Sequence, residues 1–191
     1  MIYDIFKIGV YQKNLNCNLQ KLTDFSEGCE KNTSSAKISN LTGYQSNNLD
    51  LSQPIIKDLI EKLNKSVEDY CDELKINGNL KLSNVWVNIN RYKDSNIIHR
   101  HPSSIISGVF YIKTPNNCGD ISFITNDNID DYWSPNDKKE YNQYNSPSWD
   151  IPARENFCVL FPSWLKHMVK PNFNKTENRI SMSFNYNYSG I

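Results

Sequence analysis

The sequence predicts a mainly β chain, a sandwich or closed jelly roll of many short strands with one principal helix packed outside it. Two observations carry this. Between Pro54 and about Leu74 apolar residues recur at three- and four-residue spacing and make one stripe. From residue 83 the period changes to two and stays there in short runs. A chain of 191 residues suits one domain with a proper core. Its expected divisions are an N-terminal strand, loops and helix over 1–82, then a jelly-roll core over 83–191 that contains a long loop at 126–150.

Taken in order, Ile2 to Tyr11 alternates moderately and fits an edge strand. Residues 12 to 50 are polar and irregular, and loops with short pieces are expected there. In the helix the stripe is Ile55, Ile56, Leu59, Ile60, Leu63, Val67, Tyr70, Cys71 and Leu74. Pro54 suits the first turn and Ser52 fits a cap. Next, Val85, Val87 and Ile89 point one way, and Trp86, Asn88 and Asn90 the other. Ile105–Lys113 sets Ile106, Phe110 and Ile112 against Ser107, Val109 and Tyr111. Further strands fit Asp120–Thr125, Phe157–Phe161, Lys166–Lys170 and Arg179–Tyr186. The loop at 126–150 carries Tyr132, Trp133, Tyr141, Tyr144 and Trp149. It reads either as a lid facing substrate or as a surface loop.

Composition narrows the function classes. Lys and Arg number 21 and Asp and Glu 21, so no basic stripe marks a nucleic-acid footprint. No run approaches 18 apolar residues, which argues against a membrane span. Met1-Ile-Tyr-Asp-Ile-Phe lacks the basic start and apolar core of a signal peptide. A cytoplasmic location is therefore expected. Five scattered cysteines without a C-x-x-C pair read as reduced thiols, not as a disulfide framework or zinc ribbon.

Three histidines are present, His99 and His101 in one His-x-His and His167 far along the chain. On a strand, residues i and i+2 face one side, so His99 and His101 can converge on an ion. Neutral imidazole suits Fe, Zn, Cu and Ni. A third ligand from a distant strand would leave the opposite face open to substrate. A lone pair of this kind is more often explained by surface or core histidines. Twelve residues after His167 stands Arg179-Ile-Ser181, whose alternation puts Arg179 and Ser181 on one face. A guanidinium fork matches a carboxylate, and a hydroxyl adds a third bond. The other reading has Arg179 facing solvent and Ser181 incidental.

The order of motifs resembles a known family. Asn96-x-x-His99-x-His101-Pro102, Ser107-Gly-Val-Phe-Tyr111, Phe161-Pro-Ser-Trp-x-x-His167-x-Val169 and Arg179-Ile-Ser181-x-Ser183-Phe-Asn185 look like the 2-oxoglutarate/Fe(II)-dependent oxygenases of bacteria and marine bacteriophages. Residues Ser39–Ser46 and Trp86–Asn90 resemble that family too. The prolyl hydroxylases are a more distant likeness. The resemblance implies a double-stranded β-helix of cupin type and a location in a bacterial cell, or in an infected host cell for a phage-encoded chain. It implies Fe(II) on His99, His101 and His167, with 2-oxoglutarate as co-substrate alongside O2. Arg179 and Ser181 would hold the distal carboxylate, Tyr111 would join them, and Asn88 and Asn90 would bind co-substrate or substrate. The reaction implied couples decarboxylation of 2-oxoglutarate to hydroxylation of a C–H bond. Its substrate would be a protein side chain or a small metabolite.

One departure stands out. The usual triad is two histidines and a carboxylate, whereas position 101 is histidine. Asp94 and Asp120 are the nearby carboxylates, and Asp120, following Gly119, reads as a turn residue. Two other functions stay open: a three-histidine metal dioxygenase that needs no 2-oxoglutarate, and a non-catalytic jelly-roll structural or binding module.

Overall fold

The computed structural model describes residues 1–36, 38–125, 129–131 and 133–188. Its elements are β1 (Tyr11–Asn14), α1 (Leu19–Asn32), β2 (Tyr44–Gln45), α2 (Pro54–Leu74), β3 (Leu80–Asn90), β4 (Asn96–His99), β5 (Ile106–Lys113), β6 (Ile121–Ile124), β7 (Ser148–Ile151), β8 (Phe157–Pro162), β9 (His167–Val169) and β10 (Arg179–Tyr188). The strands form two antiparallel sheets, one ordered β1-β8-β5-β10-β3-β2 and the other β4-β9-β6-β7. The fold is thus mixed, two sheets with two helices. No ladder joins the sheets into a closed barrel among the described residues.

Strand alternation assigns each face of the large sheet a different partner. Val85, Val87 and Ile89 of β3, Phe110 and Ile112 of β5, and Met182 and Phe184 of β10 pack with the helices. The stripe of α2 supplies Ile56, Leu59, Leu63, Val67, Tyr70 and Cys71, all buried. The opposite face meets the small sheet. There Val109, Tyr111, Val159 and Phe161 pack with Ile121, Phe123 and Leu165. Gly108 is required where β5 crosses β10, because a Cβ there would lie 2.5 Å from Phe184 Cζ.

Several expectations are corrected. The N-terminal strand begins only at Tyr11 and runs to Asn14, while Ile2, Tyr3, Ile5 and Phe6 are exposed. Residues 12–50 hold a second helix, α1. Its stripe of Leu19, Leu22, Phe25 and Cys29 is diluted by polar neighbours and by Ser26 in the buried seam, where Oγ donates to Leu22 O at 2.7 Å. Asn18 caps it, accepting from Lys21 N–H at 3.2 Å. Pro54 does open α2, but the preceding cap position is Gln53, which makes no side-chain cap bond. Ser52 is instead spent on Asp50, to which both its N–H and Oγ donate.

The expected loop 126–150 is partly ordered structure. Short 3-10 turns occupy Ile129–Asp131 and Pro135–Asp137, and β7 pairs with β6. The buried Lys138 ammonium is paired with Asp130 and lies 5.1 Å over the Tyr141 ring. Positions 126–128 and Tyr132 lie outside the described residues. All five cysteines are free thiols. No helix of the described residues is long and apolar enough to cross a membrane.

Candidate functional site

Between the two sheets lies a cavity of about 40 Å3. His99, His101 and His167 line it, and their ligating atoms lie within 4.8 Å of one another. Among the described residues this is the one group of His, Cys, Asp or Glu side chains placed to hold a metal. His99 stands opposite His167 in the β4–β9 ladder, so both rings project to the same face. Their centroids are 4.3 Å apart, and His101 lies 5.2 and 5.1 Å from the two.

His101 reaches the cluster by a different route from the one its spacing suggested. β4 ends at His99. His101 belongs to the turn that follows, where its N–H donates to Ser163 O at 3.0 Å. The two carboxylates weighed as alternative ligands are occupied elsewhere. Asp94 Oδ2 accepts from Arg91 N–H at 2.7 Å, and Asp120 Oδ1 from Ala153 N–H at 3.0 Å.

Each imidazole is held through its Nδ1. His99 donates to Ile97 O at 2.7 Å and His167 to Leu165 O at 2.9 Å, both carbonyls two residues upstream. His101 Nδ1 meets Asn185 Oδ1 at 2.6 Å. With Nδ1 protonated against an oxygen in all three rings, the Nε2 lone pairs are left for a metal. Burial lowers the pKa of all three. His101 is brought down to about 4 and His167 to about 3, the latter helped by the neighbouring His99. At neutral pH the rings are therefore in the uncharged form that ligates.

The same cavity gathers Asn88, Asn90, Tyr111, Arg179 and Ser181. Sheet register explains this: Arg179 faces Asn90, and Ser181 lies between Asn88 and Tyr111. Arg179 is 1% exposed. Its Nη1 donates to Cys118 O at 2.6 Å, Gly119 O at 2.8 Å and Lys170 O at 3.2 Å. Gly119 has φ 81° and sits where a Cβ would lie 2.2 Å from Lys170 O, so only glycine lets these carbonyls converge. Nη2 of Arg179 and Oη of Tyr111 are buried with no hydrogen-bond partner. Both are donors left unmet in the buried lining, and each such group costs about 1–3 kcal/mol.

A family profile described as "Putative 2OG-Fe(II) oxygenase" matches residues 84–185. The chain belongs to that family. The matched stretch runs from Asn84, within the cavity-lining strand β3, to Asn185. No curated protein matches the chain. Among solved structures this family member is similar to a prolyl-4-hydroxylase of Pseudomonas putida, at TM-score 0.67 and 12% identity, covering 96% of this chain and 95% of that one. It is also similar to the non-heme alpha ketoglutarate dependent epimerase SnoN from nogalamycin biosynthesis, at 0.69 and 13%, covering 95% and 77%. HygX from Streptomyces hygroscopicus, solved with nickel and 2-oxoglutarate bound, gives 0.65 and 10%, covering 96% and 84%. At such identities the likeness is one of fold.

Residues beyond the expected set also reach this site. Trp86 lines the cavity with its ring 5.7 Å from that of His101. Asn185, Ser107 and Ser163 form a buried chain behind His101. Asn185 has the same parity as Arg179 and Ser181 along β10, so alternation could have singled it out. Ser163 sits in a turn and carries no such mark. The half-exposed aromatics Trp133, Tyr141, Tyr144 and Trp149 do not line the cavity.

Proposed function

We propose that the chain is an Fe(II)-dependent oxygenase on a double-stranded β-helix scaffold, with His99, His101 and His167 as metal ligands and 2-oxoglutarate as co-substrate. The observation that carries the co-substrate is the pair of unpartnered buried donors, Arg179 Nη2 and Tyr111 Oη. A carboxylate between them would satisfy both and neutralise the buried guanidinium. Ser181 is placed beside them by register and would add a hydroxyl donor. Asn88, whose Nδ2 donates to Ser183 Oγ at 3.0 Å, and Asn90 supply polar walls for co-substrate or substrate. Bound there, Fe(II) with 2-oxoglutarate and O2 would supply the oxidation that hydroxylates an unactivated C–H bond. The chain's own part is to present three neutral nitrogens on one side, fix the distal carboxylate and shield the pocket between two sheets. The substrate class that suits the reading is a protein side chain or a small metabolite.

The ligand set favours a second reading. All three donors are neutral and no carboxylate joins them. That set fits a three-histidine metal oxygenase that works without 2-oxoglutarate better than it fits the usual triad. Anaerobic addition of Fe(II) and then 2-oxoglutarate separates the two. A visible charge-transfer band that grows with 2-oxoglutarate supports the first reading. Bound Fe(II) without a band sinks it in favour of the second, and failure to bind Fe(II) at all overturns both.

A further inference from the structure

Of the three cluster imidazoles, two are oriented locally. His99 and His167 each donate to a carbonyl two residues upstream. His101, outside any strand, is oriented by a side chain 84 positions away in the other sheet, Asn185 Oδ1 at 2.6 Å. An amide could meet a histidine with either end, and the two ends would select opposite tautomers. What surrounds Asn185 decides which end it shows.

Asn185 is 7% exposed, and its side chain makes two further hydrogen bonds. Its Nδ2 donates to Asn84 Oδ1 at 2.9 Å, and Asn84 Nδ2 is directed to Asn48 Oδ1 at 3.3 Å. Ser107 Oγ donates to Asn185 Oδ1 at 2.7 Å. Ser107 has one hydroxyl proton, so the 2.7 Å contact between Ser107 and Ser163 is a donation by Ser163. Both serines are fully buried. Ser163 is also the residue whose carbonyl takes the His101 N–H, so the relay closes on the backbone of the histidine it orients.

We propose that Asn185 is the positioning residue for His101. Locked by Asn84 and by the Ser163–Ser107 hydroxyl chain, it holds the proton on His101 Nδ1 and aims Nε2 at the ion. The proposal rests on the metal-site reading above for its purpose, but the tautomer it predicts is a property of the metal-free chain. In the usual triad of two histidines and a carboxylate, position 101 would be the carboxylate, which needs no tautomer to be chosen. A histidine there does, and Asn185 makes the choice.

The test is nitrogen-15 NMR of the histidine rings in the metal-free protein at neutral pH, paired with Ni(II) titration by calorimetry, for the wild type, Asn185→Leu and Asn185→Asp. In the wild type His101 should carry its proton on Nδ1. Asn185→Leu should move His101 alone toward the Nε2–H form, with His99 and His167 unchanged as internal controls. Ni(II) affinity should fall about 10- to 100-fold, the range for loss of a ligand's orienting partner. Asn185→Asp keeps an acceptor against His101 Nδ1, and Asn84 can turn its amide to donate to the second carboxylate oxygen, so this variant should retain both the tautomer and the affinity and also covers a Leu variant that fails to fold. An Nε2–H tautomer in the wild type, an unmoved tautomer in Asn185→Leu, or equal loss of affinity in both variants would each overturn the proposal. A wild type that binds no Ni(II) yet shows the Nδ1–H tautomer would leave the positioning intact and remove the metal-site reading.

Discussion

Tyr111→Phe removes one oxygen and nothing else, and the structure gives it opposite effects on the empty and the filled protein. The Tyr111 ring is 1% exposed and packs with Val109, Ile121, Phe123 and Phe161, contacts that phenylalanine keeps. The hydroxyl has no partner, and burial pushes its pKa up from the ordinary phenol value. Deleting an unsatisfied buried group recovers its desolvation cost, about 1–3 kcal/mol. The metal-free variant should therefore be more stable by about 1–2 kcal/mol, a rise in Tm of about 2–8 °C for a chain of this size. With 2-oxoglutarate present the same hydroxyl would donate to a carboxylate, a bond of about 1.5–3 kcal/mol, so affinity should drop about 10- to 100-fold. Urea denaturation of the metal-free chain measures the first effect, and calorimetric titration of 2-oxoglutarate into Ni(II)-loaded protein measures the second. A variant destabilised by more than 1 kcal/mol would show that the hydroxyl has a partner. Unchanged 2-oxoglutarate affinity would remove Tyr111 from the anion pocket.

Two other perturbations have determined signs. Gly119→Ala forces a Cβ against Lys170 O and Pro171 O at a φ of 81° and should cost about 3 kcal/mol or more; a loss below 1 kcal/mol in urea denaturation would show that the carbonyls holding Arg179 can move apart. Acidification should destabilise the metal-free protein, because His101 and His167 titrate at about 4 and about 3 when folded and near 6.5 when unfolded. Between those limits the unfolded chain takes up protons that the folded chain refuses. Stability is then fully present above pH 6.5 and falls by about 1.4 kcal/mol per pH unit for each histidine as pH drops toward 4. A flat stability profile from pH 7 to 4.5 would show that the rings are not buried as neutral groups.

What could be read from the sequence was what alternation alone controls. Trp86, Asn88 and Asn90 share a face because β3 is regular, and the same rule brings Arg179 beside Ser181 and both to the cavity. The stripe of α2 was legible because six buried apolar residues keep helical spacing. α1 was not, although Leu19, Leu22, Phe25 and Cys29 keep helical spacing, since only these four apolar residues carry the stripe and Ser26 interrupts the seam. His101 shows a subtler limit. Its convergence with His99 was expected from a strand, yet it comes from a turn fixed by Ser163. Spacing can propose that two residues meet without revealing what makes them meet. The orientation of Asn185 depends on Asn84 and Ser107, partners distant in the chain, and no local pattern encodes such a convergence.

The divided guanidinium of Arg179 has a consequence for how such a protein can diversify. One nitrogen is buried without a partner, while the other ties β10 to the carbonyls of Cys118, Gly119 and Lys170, which lie just before β6 and just after β9. A strand of the large sheet is thereby fastened to the ends of two strands of the small one. On the proposed reading, selection for a different acid cannot act freely at position 179, because any replacement that alters recognition also loosens the seam between the sheets. The hydroxyls of Tyr111 and Ser181 tie no second element among the described residues, so a lineage adapting to a new ligand would change those groups first and keep the arginine.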